Sequence, residues 1–276
     1  MSSYFPIPPT IWVEECSKNI YGSTTFLNIP NNRLSENFLS KTYQDVVFLG
    51  VYCLKNNKWF LLKSYKCNPF EFIEFKRVDF SVGNYEILVI IPNKINKFPR
   101  ESEQLPKPSP LRIDNSPVAE RASLNFYLEN SKTSYQGEYP FKMACLKNSS
   151  FLSFDSLKSN QDSNSVDFFI FMNITSAPSS EQVQIEVFDP QNKKNIRCLD
   201  AKRNSFNIYK IANLEADFPN KNTLFYKCKN CSFIPIMLSI DTNNYQLSVE
   251  HTHPPTELFI GMRKMEAVKL IKRRWT

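Results

Sequence analysis

Glycine is scarce in this chain: only five of its 276 residues are glycine, at positions 22, 50, 83, 137 and 261. No two of them lie within ten residues of each other. Dinucleotide-binding and P-loop folds need clustered glycines, because their backbone N–H groups must approach phosphate closely. A Gly-x-Ser-x-Gly nucleophile elbow also needs two glycines close together. The sequence therefore excludes these classes of enzyme.

Long hydrophobic runs are also missing. The longest apolar stretches, such as residues 168–172, fall far short of the roughly 20 residues that cross a bilayer. Residues 1–16 show neither the basic segment nor the apolar run of a secretory signal. Seven scattered cysteines, an odd number, fit reduced thiols better than a disulfide framework. We therefore expect a soluble, cytoplasmic protein with no transmembrane segment.

The chain is rich in aromatic residues (14%), and 42% of its residues are hydrophobic. Its length corresponds to about two domains, and this composition is sufficient for two hydrophobic cores. Residues 97–119 contain five prolines among charged and polar residues, which favours an extended, semi-rigid linker. We therefore predict an N-terminal domain at 1–96, a linker at 97–119 and a C-terminal domain at 120–276.

On both sides of this linker the periodicity is mostly that of strands. Residues 183–187 alternate valine or isoleucine with polar side chains, and a turn is predicted at 189–192. Residues 236–240 and 245–249 alternate in the same way on either side of a turn at 241–244. Asp and Asn favour such turns because their side chains hydrogen-bond the turn backbone. These patterns predict half-buried strands joined as hairpins.

Two further hairpins are predicted in the N-terminal half of the chain. Segments 45–53 and 58–65 flank Asn56-Asn57, and segments 70–82 and 85–91 flank Gly83-Asn84. Short β segments bounded by turn residues, without alternating helices, are typical of β-sandwiches. The sequence therefore predicts a mainly β protein with two antiparallel β-sandwich domains, Ig-like or jelly-roll-like.

The C-terminal segment instead has the periodicity of a helix. From residue 257 to 275, apolar residues recur three or four positions apart. The segment after 257 holds six basic residues and one acid, which is five of the seven net positive charges. The basic residues are Arg263, Lys264, Lys269, Lys272, Arg273 and Arg274. We predict a basic amphipathic helix that either packs on the second sandwich or docks on an anionic membrane surface, a nucleic acid or an acidic protein.

Both histidines of the chain, His251 and His253, lie at the end of the predicted strand 245–249. If this strand continues, both imidazoles extend its apolar face, and a His-x-His pair on a strand brings two nitrogen ligands to one metal. Cys228 and Cys231 form a Cys-x-x-Cys pair that supplies two thiolate ligands. The four residues together predict a closed, structural zinc site.

Other interpretations of these residues remain open. The histidines can close the edge of the sandwich by hydrogen-bonding backbone carbonyls, without any metal. They can also hold a catalytic metal with Glu250 or Glu257, although Glu250 points to the opposite face of the strand. A redox role for the cysteine pair is disfavoured, because a helix N-terminus is the usual cause of a low thiol pKa, whereas segment 233–240 has the pattern of a strand.

The segment 135–141 has the mixture of side chains found in recognition loops. Tyr135 and Tyr139 provide rings that stack on sugar faces, and Gln136 and Glu138 provide groups that bond hydroxyls. The simpler interpretation is a packed loop. Because no complete catalytic signature is present, we expect a non-catalytic binding or assembly module that contacts a protein partner or a glycan. The alternative is a zinc-dependent hydrolase centred on the two histidines.

Overall fold

The structure, a computed structural model of the chain, describes residues 2–28, 46–84, 86–110, 122–145, 150–154, 164–189, 194–211, 224–228 and 231–251. Within these residues the protein is mainly β, which confirms the predicted class, and has one short α-helix, α1 (Phe141–Cys145). No helix of the described part is long and apolar enough to cross a membrane. The predicted C-terminal helix, with its six basic residues, lies outside the described residues.

The described strands follow in chain order. They are β1 (Ser3–Ile7), β2 (Ile11–Val13), β3 (Lys18–Leu27), β4 (Val47–Lys55), β5 (Lys58–Cys67), β6 (Phe72–Lys76), β7 (Leu88–Asn93), β8 (Glu101–Ser102), β9 (Ala122–Leu128), β10 (Ser131–Gln136), β11 (Tyr139–Pro140), β12 (Ser150–Phe154), β13 (Ser165–Asn173), β14 (Gln182–Asp189), β15 (Lys194–Lys202), β16 (Ser205–Lys210), β17 (Leu224–Cys228), β18 (Ile234–Asp241) and β19 (Gln246–His251).

These strands form four antiparallel sheets in the described part of the chain. Sheet 1 has the order β11-β1-β7-β4-β5-β8. Sheet 2 has the order β10-β9-β3-β2, and β6 pairs with the second half of β3. Sheet 3 has the order β12-β17-β14-β15, and sheet 4 the order β16-β13-β18-β19.

Three of the predicted strand patterns are confirmed. Asn56 and Asn57 join β4 to β5 with φ angles of 48° and 56°, the left-handed conformation that a tight two-residue hairpin turn requires. The β18–β19 hairpin forms across the predicted turn, with Leu238 opposite Val249 and Ile240 opposite Leu247. In β14, Ile185 and Val187 are buried whereas Gln184 is exposed. Alternation of side chains therefore reported the buried face correctly at β14 and β18, whereas turn residues reported the β4–β5 hairpin.

The hairpin predicted around Gly83-Asn84 is wrong. Strand β6 pairs with β3 in sheet 2, whereas β7 pairs with β1 and β4 in sheet 1. Strand β7 is buried over its first five residues. Its backbone N–H and C=O groups are therefore shielded from water and need a hydrogen-bonded strand along each edge. Strands β1 and β4 occupy these two edges, and β6 does not. The connection between β6 and β7 is fixed by buried Arg77, whose guanidinium donates to the carbonyls of Gly83, Asn84 and Glu86.

Three clusters of buried side chains form the core. The N-terminal cluster lies between sheets 1 and 2 and includes Phe5, Phe26, Leu49, Phe75 and Ile90. The C-terminal cluster joins sheets 3 and 4 and includes Phe169, Phe171, Ile185, Tyr226 and Cys231. The central cluster joins sheets 1, 2 and 4 and includes Tyr52, Trp59, Phe126, Ile170 and Ile236.

Strand β13 separates two of these clusters. Its side chains Phe169 and Phe171 enter the C-terminal cluster, and the intervening Ile170 enters the central cluster. The continuous apolar run at 168–172 therefore forms a strand that is buried on both faces, as expected for the middle of a layered β structure.

Strand pairing crosses the predicted linker at 97–119. Strand β9, which follows the linker, pairs with β3, and β1 pairs with β11. Within the linker, β8 pairs with β5, and Leu105 is buried, with its N–H donating to the carbonyl of Ser176. The domain boundaries predicted from proline content stay a prediction, but sheets 1 and 2 contain strands from both sides of the predicted linker.

Candidate functional site

The two tyrosines of the predicted recognition loop lie in the core. Tyr135 and Tyr139 are 8% and 0% exposed, and the Tyr139 hydroxyl donates to the carbonyl of Ser232 (2.9 Å). Burial raises the pKa of Tyr139 well above its usual value. Gln136 is exposed and Glu138 is half-buried. The binding role of this loop stays a prediction, which now depends on the two polar side chains, because neither ring has a free face to stack on a ligand.

The cysteine pair at the end of β17 is brought together by the fold. Cys228 and Cys231 are both buried, and both belong to the C-terminal cluster. Hydrogen bonding with the Cys231 thiol lowers the pKa of Cys228 despite burial, which acts in the opposite direction, and the charge of Arg203 lowers it further. The same bond, with burial, raises the pKa of Cys231.

The rest of the predicted zinc site is less completely described. His251 is the last residue of β19, where its backbone pairs with Ile236, and His253 lies outside the described residues. Among the side chains that the structure describes, no three from His, Cys, Asp and Glu cluster in a way that fits a metal ion. The zinc site of Cys228, Cys231, His251 and His253 therefore stays a prediction.

A different surface gathers the exposed aromatic and polar side chains of sheet 2. Side chains alternate between the faces of a strand, so the pairing of β2, β3, β6, β9 and β10 places one set on the side away from the core. We call this set the outer face. Its residues are Trp12, Asn19, Tyr21, Ser23, Thr25, Leu27, Phe72, Glu74, Lys76, Ser123, Asn125, Tyr127, Lys132, Ser134 and Gln136.

One end of the outer face is an aromatic platform. Trp12 is 53% exposed and Tyr21 is 49% exposed. Trp12 is directly opposite Asn19, so Tyr21 is its diagonal neighbour, at about 7–8 Å and within reach of large rings. Tyr127 is paired with Tyr21 on the next strand, and the Lys132 ammonium lies 5.1 Å from the Tyr127 ring centre.

Beside this platform the outer face carries a connected polar network. Asn125 donates to the hydroxyls of Thr25 (3.0 Å) and Ser23 (3.1 Å) and accepts a hydrogen bond from Ser134 (2.9 Å). Ser23 in turn donates to Glu74 (2.7 Å). Because Asn125 and Ser23 are buried and hydrogen-bonded, the network holds the more exposed side chains around it in fixed positions.

The carboxylate of Glu74 is the charged centre of this network. Burial raises its pKa, but hydrogen bonds from Tyr127 and Ser23 and the nearby charges of Lys76 and Lys132 outweigh that effect. The pKa of Glu74 therefore lies below its usual value, and the group is ionised at neutral pH. An ionised carboxylate with two hydrogen-bond donors already in place is a fixed acceptor for hydroxyl groups of a ligand.

Sequence reasoning missed the outer face because its strands lack a clear polarity contrast. Along β3 the inward positions include Gly22 and Thr24, and the outward positions include Tyr21 and Leu27. Alternation of apolar and polar residues, the signal for a half-buried strand, is therefore weak there. The one available signal was Trp12, a polar-tipped aromatic between Ile11 and Val13, both of which are buried.

A pocket of about 340 Å³ near α1 is a poor candidate for catalysis. It is lined by Leu105, Lys107, Phe141, Cys145 and Ser176, among others. Burial raises the pKa of the Cys145 thiol more than the hydrogen bond with Ser176 and the Lys107 charge lower it. A nucleophilic cysteine needs the opposite shift, so this thiol is not activated.

Comparison with known proteins gives no relative to transfer a function from. No protein-family model matches the chain, and neither curated proteins nor solved structures gave a match.

Proposed function

We propose that the protein is a non-catalytic binding module that recognises a glycan through the outer face of sheet 2. The observation that carries this proposal is the position of Trp12 and Tyr21, two rings about half exposed beside a preorganised polar network. Exposed rings stack on the apolar faces of sugar rings, and fixed polar groups bond the hydroxyls. The outer face supplies both kinds of contact on one sheet.

The composition of the outer face favours a glycan over a protein partner. The buried centre of a protein interface is depleted in charged residues and rich in apolar ones. Here the centre of the face is made of Ser, Thr, Asn and Glu side chains, and the apolar side chains Leu27 and Phe72 lie at the end opposite Trp12.

A binding role also fits the distribution of acidic side chains. Hydrolysis of a glycosidic bond uses a pair of carboxyl groups in most glycosidases. Glu74 is the one acidic residue among the outer-face side chains of the described strands. The face therefore has an acceptor for hydroxyls and no second carboxyl group for acid–base chemistry.

We further propose that the scaffold consists of two β-sandwiches, sheets 1 and 2 around the N-terminal cluster and sheets 3 and 4 around the C-terminal cluster. The basic segment after residue 257 would add a second contact with an anionic partner. Support for that contact comes from the charge pattern of the sequence, where Arg263, Lys264, Lys269, Lys272, Arg273 and Arg274 are gathered within twelve residues.

The test is binding of the full chain to an array of immobilised neutral and acidic glycans. Trp12→Ala and Tyr21→Ala are each expected to weaken binding by roughly 2 kcal/mol, about thirtyfold, because each removes an aromatic anchor. Trp12→Phe keeps a ring and should restore most of the affinity. A variant truncated after Gly261 tests the basic segment, and it should lose affinity only for acidic glycans at low salt.

The matched control is Ile95→Ala, which removes a side chain of similar exposure (58%) away from the outer face. It should bind as the wild type does, and circular dichroism should show all variants to be folded. Unchanged binding by the Trp12→Ala/Tyr21→Ala double variant, or a wild type that retains no glycan, contradicts the proposal. Capture of a protein instead, lost with the same two substitutions, would identify the outer face as a protein-binding surface.

A further inference from the structure

The outer face of sheet 2 has an excess of positive charge. The charged side chains among its described residues are Lys76 on β6, Lys132 on β10 and Glu74 on β6. Two ammonium groups therefore stand against one carboxylate. On the basis of the proposed glycan binding, we infer that the glycan is acidic and that Lys76 and Lys132 bind its carboxylate or sulfate groups.

Both ammonium groups are accessible and have hydrogen-bond donors to offer. The Lys76 side chain is 58% exposed, and its Nζ lies 4.0 Å from Oε2 of Glu74, which is too far for a hydrogen bond. Lys132 is exposed, and no group in the described part of the chain accepts a hydrogen bond from its ammonium. An ammonium group only donates, and its hydrogen bonds to anionic oxygens are stronger than those to neutral ones. These two side chains therefore suit an anionic ligand.

Glu74 can balance only one of the two positive charges. Its Oε1 accepts hydrogen bonds from the hydroxyls of Ser23 (2.7 Å) and Tyr127. Lys76 and Lys132 both lower the pKa of Glu74, so both ammonium groups act on the same carboxylate. An acidic substituent on the glycan supplies the second negative charge, whereas a neutral sugar does not.

The strand register places Lys132 at a defined distance from the aromatic platform. Lys132 is paired with Tyr127, which is paired with Tyr21 on the next strand. Neighbouring strands lie about 4.8 Å apart, so Tyr21 and Lys132 are separated by about 10 Å, roughly the span of two linked sugar rings. The Lys132 ammonium, 5.1 Å from the Tyr127 ring centre, is held there by a cation–π interaction. A glycan with one sugar stacked on Tyr21 therefore brings the acidic group of the next sugar to Lys132.

Lys63 on β5 provides a matched comparison within the same chain. It is exposed, and its ammonium lies 5.0 Å from the ring centre of Tyr65. Lys63 thus repeats the lysine–tyrosine contact of Lys132, but it belongs to sheet 1, away from the aromatic platform. A general effect of surface charge on acidic ligands would involve all three lysines equally, whereas a site on the outer face involves only Lys76 and Lys132.

The experiment measures binding of the full chain by calorimetry to two matched pairs of probes. The first pair is an oligogalacturonate and its methyl ester, and the second is a sulfated galactan oligosaccharide and its desulfated form. Within each pair the acidic group is charged in one member and neutral or absent in the other. The variants are Lys76→Gln, Lys132→Gln, the double variant and the control Lys63→Gln, each shown to be folded by circular dichroism.

The wild type is expected to bind the acidic member of at least one pair about tenfold more tightly than the neutral member. Lys76→Gln and Lys132→Gln should each weaken acidic binding by about fivefold and leave the neutral member unchanged. Lys132→Arg should retain the affinity, and Lys63→Gln should behave as the wild type. Added salt should reduce the preference, because it screens exposed charges. The pair that shows the preference identifies the acidic group as a carboxylate or a sulfate.

Two results overturn the inference while leaving the proposed function in place. One is equal affinity for both members of each pair, with binding lost in the Trp12→Ala/Tyr21→Ala variant. The other is a preference for acidic probes that persists in the Lys76→Gln/Lys132→Gln variant, which would assign it to the basic segment after residue 257. A wild type that retains no glycan, neutral or acidic, contradicts both the inference and the proposed function.

Discussion

At the residue scale, single polar side chains with several hydrogen bonds determine local geometry. Asp241 ends β18 and accepts hydrogen bonds from the backbone N–H groups of Asn243 (2.9 Å) and Asn244 (3.2 Å). Its second oxygen accepts from the Asn244 side chain (3.0 Å). These donors lower the pKa of Asp241 below its ordinary value of 3.8. The sequence predicted this turn from the same chemistry, the ability of Asp and Asn to bond the turn backbone.

The lowered pKa of Asp241 predicts how the stability of the fold depends on pH. A carboxyl group whose pKa is lower in the folded state stabilises the fold above its unfolded pKa, and the contribution is lost as the pH falls through the folded value. For Asp241 the loss is expected below pH 3.8. Asp241→Asn should remove this component, so the difference in thermal midpoint between wild type and variant should shrink as the pH falls below 3.8. A constant difference across that range would contradict the assignment.

At the scale of the element, turn chemistry was readable in the sequence, but strand partners were not. The Asn56-Asn57 turn brings β4 and β5 together as predicted, because both residues tolerate the left-handed conformation. Gly83-Asn84 has similar residues but does not make a hairpin, because β7 is buried on both faces and takes β1 and β4 as partners. The requirements of a buried strand overrode the local signal.

The left-handed conformation of Asn57 (φ 56°) sets an order of stability for substitutions there. Asn57→Gly should leave the free energy of unfolding unchanged or raise it, because glycine adopts this conformation without strain. Asn57→Val should lower it by roughly 1–2 kcal/mol, because the branched Cβ of valine crowds the backbone in the left-handed region, which asparagine tolerates. Urea unfolding measures both effects, and Asn57→Ala should fall between them. A valine variant as stable as the wild type would refute this account of the turn.

At the scale of the whole molecule, the central cluster connects the two parts of the chain that lie before and after the predicted linker. It contains Tyr52 and Trp59 from before the linker at 97–119, and Phe126, Ile170 and Ile236 from after it. Backbone and side-chain hydrogen bonds also cross this division, such as that from the Trp59 indole N–H to the carbonyl of Ser176 (3.0 Å). The two halves therefore cover each other's apolar surface.

A fragment of residues 1–110 tests this connection. It lacks β9, one of the strands that pair with β3, and exposes the apolar side chains that the central cluster buries in the full chain. We expect the fragment to be unfolded or aggregated, because exposed apolar surface costs about 25 cal/mol per Å². Circular dichroism and amide hydrogen exchange measure the outcome, with the full chain as control. A fragment with a cooperative unfolding transition would instead support an independent domain at 1–96.

The sequence by itself determined the β class, the strands with clear alternation and the asparagine and aspartate turns, because these depend on backbone preferences and on the period of two along a strand. The tertiary structure decided which strands pair, because buried strands need partners on both sides wherever the chain provides them. It also buried Tyr139 and exposed Trp12 and Tyr21 on one face, since side-chain exposure depends on what packs across the sheet.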